Sequence, residues 1–197
     1  MSVADYFLRA KHWQIFLLLF GMFCVAGFVS FTEARTLTAE SLGIAGLISW
    51  AVIGLAQLSL AVWLWSLGSF LTSIAPPALR LSLGIFRFAL IYTPVYLFGF
   101  NVFSGDLQPL LIAFVFPLHL LAMFCLVYSL YFVSKSLVSA ERGEPVSFSS
   151  YAGALFLIWF FPIGVWIIQP RVNRLYADKK NAGSRANPNA ASVYPSP

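Results

Sequence analysis

An all-α, polytopic membrane helix bundle is the fold this chain predicts, and three observations predict it. Five stretches are apolar for long enough to enter or cross a bilayer: Trp13–Phe31, Leu42–Leu71, Leu81–Phe100, Pro109–Val133 and Tyr151–Gln169. Of the 197 residues 60% are hydrophobic and 10% charged, against about 45–50% and about 25% in soluble domains. The longest connection, Ser134–Ser150, is too short for a folded domain outside the lipid. These features predict one membrane domain over residues 13–169, flanked by short interfacial pieces and a tail.

Residues 1–12 form the first of those pieces. Ser2 followed by Asp5 fits a capping pattern, and Asp5, Arg9, Lys11 and His12 give the helix a polar face suited to the headgroup layer. The Trp13 indole marks the point of entry into the bilayer. The apolar run that follows is longer than the about 7–15 residues of a signal-peptide core and lacks a small-x-small cleavage site, so it is expected to stay as a helix. At 1.5 Å per residue the second segment reaches about 45 Å against a hydrocarbon core of about 30 Å, so it tilts or projects. Gly43, Gly46, Gly54 and Gln57 lie along one stripe of it. Small residues at that spacing let a second backbone approach, and Gln57 can bond across the contact. A packing face inside the monomer is the first reading of this stripe, a homo-oligomer seam the second.

Pro76-Pro77 breaks the chain before the third segment, which carries Arg87, Thr93 and Pro94. The fourth holds Pro117 and His119, and the loop after it centres on Glu141, Arg142, Gly143 and Glu144. Pro170 suits the first position of a new helix over 170–180. In that helix Val172, Leu175 and Tyr176 share one face, with Arg171 and Arg174 on the other. With Lys179 and Lys180 they form a basic surface for anionic headgroups, the apolar face lying in the acyl chains. Residues 181–197, rich in Ala, Asn, Ser and Pro, are expected to be disordered. Cys24 and Cys125 sit in apolar segments and are expected to be free and buried.

The charge count leaves the topology open. With five full crossings, six Lys and Arg residues fall on each side, which gives the positive-inside rule nothing to act on. If instead the last segment enters and returns, kinked at Pro162-Ile163-Gly164, eleven fall on one side and one on the other; if the third segment fails to cross, the division is nine to three. The N-terminus is expected on the cytoplasmic side. A net charge of +5 fits adhesion to anionic lipid and points to no nucleic-acid partner, because the cations flank membrane segments.

The candidates for chemistry are few. All seven carboxylates lie in loops or ends, where proton and sodium pathways place one at depth. Two histidines without a His-Glu-x-x-His pattern argue against a zinc hydrolase, and neither metal nor cofactor is expected. Arg87 and His119 remain as candidate ligand-binding residues. The first is expected to snorkel to the headgroups and the second to bond a carbonyl freed by Pro117.

The run Pro162-Ile163-Gly164-Val165-Trp166-Ile167-Ile168-Gln169-Pro170-Arg171-Val172-Asn173, with the opening Lys11-His12-Trp13-Gln14-Ile15-Phe16, resembles a set of bacterial inner-membrane proteins of Bacteroidetes type that carry no assigned activity. The resemblance covers the two ends. It implies a bacterial inner-membrane location and transfers no catalytic residue. The leading functional expectation is a non-enzymatic component that scaffolds, assembles or regulates a membrane protein partner. The alternative is a small transporter or lipid-handling protein that uses Arg87 and His119 in an intramembrane cavity.

Overall fold

The computed structural model describes residues 3–36, 44–77, 80–103 and 109–186, which form seven helices with no strand among them. They are α1 (Val3–Arg9), α2 (His12–Thr36), α3 (Ile44–Ile74), α4 (Leu83–Phe103), α5 (Pro109–Arg142), α6 (Phe148–Trp159) and α7 (Phe161–Ala186). Four of them, α2 to α5, are long and apolar enough to cross a membrane. The chain is therefore an all-α, multi-pass membrane bundle, with a fifth apolar segment of a different kind.

That fifth segment is not one helix. It breaks at Phe160, whose φ of −89° and ψ of 58° end α6, and α7 starts at the next residue. The backbone of Gly164 lies against the Leu157 carbonyl so closely that a methyl group there would overlap it. Both arms come back to the same end of α5. Ser150 of α6 accepts a hydrogen bond from Arg142, and Arg171 of α7 is bound to Glu141. The two arms make a hairpin about 15 Å deep at 1.5 Å per residue, half of a hydrocarbon core of about 30 Å.

Pro170 does not start a helix, because α7 runs through it without a break. Pro162 takes the first-turn position instead, where a missing N–H removes no intrahelical bond. Pro170 lies on the exposed side, and its absent N–H leaves the Trp166 carbonyl without its usual donor. The helix also persists into the stretch expected to be disordered, as far as Ala186. Residues 187–197 lie outside the described residues.

Contacts along α7 fix its direction. Trp63 meets Gln169 and Ser73 meets Lys179, each pair 106 residues apart, and the Phe70 and Tyr176 rings meet between them. Such a constant offset belongs to parallel helices in fixed register. Against α2 the order reverses: Phe161 touches Phe23, while Trp166 touches Phe16 and His12. The hairpin consequently returns α7 to the end where α1, the end of α3 and the end of α5 already meet.

Packing follows from this. Seven helices share that end and only α2 to α5 reach the other. The buried core lies at the crowded end, with Trp63, Leu67, Phe86, Phe132, Leu137 and Ile168 fully enclosed. Phe86 and Phe132 stack with ring centres 4.1 Å apart over Gly68, where a methyl group would overlap Phe86. At the sparse end, Phe28, Phe114 and Val95 are more than 65% exposed. Bare phenylalanines in that number need lipid as their solvent. Several hydroxyls in the spans bond back to their own helix, as Thr93 does to Ala89, Ser129 to Cys125 and Ser134 to Leu130, which keeps them from facing hydrocarbon unpaired. Both cysteines are free, and Cys24, expected to be buried, is exposed on the outer face of α2.

Candidate functional site

Polar side chains converge where α1 ends. The chain breaks between α1 and α2 at Ala10-Lys11, and Lys11 caps α2: its N–H donates to Gln14 Oε1 at 2.9 Å. A break there strands the last carbonyls of α1. Two amides from α7, one turn apart, satisfy them. Gln169 Nε2 donates to the Phe7 carbonyl at 2.7 Å, and Asn173 Nδ2 to the Ala10 carbonyl at 3.1 Å. Gln169 is fully buried, and its Oε1 accepts the Trp63 indole N–H at 3.1 Å. A single side chain thus joins α1, α3 and α7. Sequence reading missed it, because Gln169 closes an apolar run and looks like an interfacial boundary.

The four basic residues expected to form one lipid surface are divided. Arg171 is half-buried and paired with Glu141 through two hydrogen bonds, one of 2.8 Å from Nε. It bridges the hairpin to α5 and is not presented to headgroups. The apolar face beside it is not in acyl chains either: Val172 is buried, and Leu175 and Tyr176 pack against the core. Arg174 stays exposed, while Lys179 and Lys180 line a cleft between α1, α3 and α7.

Arg87 and His119 are not brought together. The Arg87 guanidinium lies over the Trp65 ring, 5.2 Å from its centre, and no carboxylate pairs with it among the described residues. His119 sits against Tyr96 and Phe100, with centres 5.8 and 5.6 Å apart. Those two rings are about 14–20 Å from Arg87 along α4 at 1.5 Å per residue. A cavity that uses both residues is not what the fold builds. Tyrosines rather than the histidine serve the carbonyls around Pro117: Tyr92 donates to Leu118 at 3.1 Å and Tyr96 to Val115 at 3.4 Å.

The α3 stripe is used inside the monomer. Gly54 meets the Phe98 ring of α4, which a methyl group would approach to 3.1 Å. Gly46 lies within α3, and Gly43 is outside the described residues. Gln57 turns to a hollow rather than to a partner helix, and its Oε1 is buried with no hydrogen-bond partner.

That hollow comes from a proline. Pro94, inside α4, cannot bond the Leu90 carbonyl one turn back, and the α3 residue facing it is only Ala61. Volume is left unfilled on both sides of the seam. An inner hollow of about 240 Å³ lies among α2 to α5, and an outer one of about 250 Å³ faces the lipid. Ala61, Leu90 and Pro94 line both. Both are partly open and lined mainly by apolar side chains. The outer hollow ends at Trp65, under the Arg87 guanidinium. Cation, aromatic ring and apolar slot are therefore in line.

Set against protein-family models, curated proteins and solved structures, the chain matches none of them.

Proposed function

We propose that this protein is a lipid-binding, non-catalytic component of a bacterial cytoplasmic membrane, holding a phospholipid at the α3–α4 seam. One acyl chain lies in the outer hollow along Leu58, Val62, Ile91 and Val95, and the phosphate meets Arg87. The observation that carries this reading is the line from Pro94 through Trp65 to an Arg87 with no carboxylate beside it. Arg87 is kept from the expected pair of ligand residues, and His119 is left out. In this reading both termini face the cytoplasm, since a returning hairpin gathers eleven of the twelve Lys and Arg residues on one side.

Native mass spectrometry of protein extracted in an uncharged detergent tests the site. A retained phospholipid is expected on the wild type. Arg87→Gln should weaken retention about fivefold, the effect of one interfacial cation. Ala61→Phe, which fills the seam, should remove retention altogether. Equal retention by all three would end the proposal. The orientation has its own measurement: a fluorescent protein fused after Tyr176 should fluoresce, and a periplasm-dependent phosphatase at the same place should stay inactive. The reverse pattern would refute the assignment of sides.

A second reading, docking of a partner protein, has one observation in its favour. Every residue of α7 from Ala177 to Ala182 is exposed, and four of these six are polar or charged. An exposed polar helix end of that kind can bridge to another molecule.

A further inference from the structure

We propose that the cleft between α1, α3 and α7 is a phosphate-binding site, separate from the α3–α4 seam and independent of its function. The cleft is about 470 Å³, and its polar lining is Asp5, Ser66, Ser69, Tyr176, Lys179 and Lys180. It exists because α1 stands off α3 at small residues, with Ala4 on one wall and Ser66 and Ser69 on the other. Three features give it an affinity for an anionic oxygen.

Ser69 is the first. Elsewhere on this part of α3 the hydroxyls bond back to their own helix, Ser66 to Val62, Thr72 to Gly68 and Ser73 to Phe70. The Ser69 hydroxyl is buried with no partner at all, a condition that proteins rarely leave uncompensated. Rotation of this hydroxyl into the cleft would give it a phosphate oxygen as acceptor.

The two lysines are the second. Lys179 is held in place by its bond to Ser73 at 2.9 Å and by the Phe70 ring, 5.6 Å from its ammonium to the ring centre. An ammonium has three donors, so that single bond leaves two for a ligand. Lys180 adds a second ammonium to the same wall, with no hydrogen bond or ion pair to another described residue.

The third feature is the balance of charge. Asp5 is the one carboxylate in the lining, and it already accepts the Tyr176 hydroxyl at 3.2 Å. Arg9 lies over the Tyr176 ring, 5.9 Å from its centre. The cleft and its rim thus carry an excess of positive charge, with Leu8 and Phe70 as an apolar floor. That combination suits a phosphate with a hydrophobic attachment, and a free phosphate shares the same recognition chemistry.

The test uses the full chain in an uncharged detergent and follows its melting temperature. Three probes are added separately: short-chain phosphatidylglycerol, inorganic phosphate and a short-chain diacylglycerol lacking phosphate. A rise with phosphatidylglycerol alone identifies a lipid headgroup, and a rise with inorganic phosphate as well identifies a free anion; either supports the site. Lys180→Gln, which breaks no bond within the protein, should leave the ligand-free melting unchanged and weaken the response about fivefold. Ser69→Ala should also weaken it, whereas Arg174→Gln, a cation outside the cleft, should not. The proposal is overturned if neither phosphate compound raises the melting temperature or if the phosphate-free lipid acts equally. It is also overturned if Arg174→Gln costs as much of the response as Lys180→Gln.

Discussion

Gly164→Ala is expected to destabilise the protein by about 3 kcal/mol or more, the upper range for forcing atoms into filled space. The reason is the hairpin. A methyl group at Gly164 would overlap the Leu157 carbonyl, and main-chain atoms cannot rotate aside as a flexible side chain does. To make room, α6 and α7 must separate at Phe160, and that separation pulls α7 from the faces where Val165, Ile168 and Val172 are buried. Thermal melting in detergent reads the loss. Gly153→Ala is the matched control, since a methyl group there meets nothing within 4 Å. It should be neutral, or stabilising by up to about 1 kcal/mol because alanine is the better helix former. Similar melting of the two variants would show that the corner is not tight.

Gln169→Leu should cost about 2–4 kcal/mol, and the loss should be concentrated at α1. Leucine fills a similar volume but leaves the Trp63 N–H without an acceptor and the Phe7 carbonyl without its α7 donor, each worth about 1–3 kcal/mol when buried. Gln169→Glu should be no better, because a carboxylate accepts from Trp63 but cannot donate to Phe7. Adding Trp63→Phe to Gln169→Leu should recover part of the loss, as removing both partners of a buried bond is cheaper than removing one. Hydrogen exchange supplies the local readout. Amides of α1 should exchange faster in Gln169→Leu while those around Phe86 and Phe132 keep their protection. Uniform acceleration through the bundle would mean that the glutamine does not act as a local tie.

How much of this was legible beforehand differs from element to element. Period and length sufficed for α2 to α5, since runs such as Leu81–Phe100 have few alternatives once lipid is the solvent. Their ends lie beyond the apolar runs: α2 goes on to Thr36 and α5 to Arg142. Polar residues such as Glu33 and Arg142 can finish a helix beyond the hydrocarbon, where hydropathy no longer marks it. Pro162-Ile163-Gly164 was readable as a kink, and the charge count as a hint that the segment returns. Which proline began the helix was not readable, because Pro162 and Pro170 both have acceptable neighbours and only the packing of Gly164 on Leu157 chooses between them.

The candidate site was read less well, for a physical reason. Arg87 announced itself, being a lone cation in an apolar run. The slot beneath it did not, because a hollow arises between Pro94 on one helix and a small Ala61 on another. His119 looked equally exceptional, yet its neighbours are Tyr96 and Phe100 at the far end of α4 from Arg87. Arg171 looked like a headgroup ligand until Glu141, distant in the chain, proved to be its partner.

Composition and periodicity by themselves determined the solvent, the helical class and the positions of the long spans, because those depend on each segment's own transfer energy. The tertiary structure alone decided that the last segment turns back, that Gln169 ties three helices together, and which cations are engaged and which remain open. Those outcomes depend on what one helix presents to another, and a linear pattern holds no record of that.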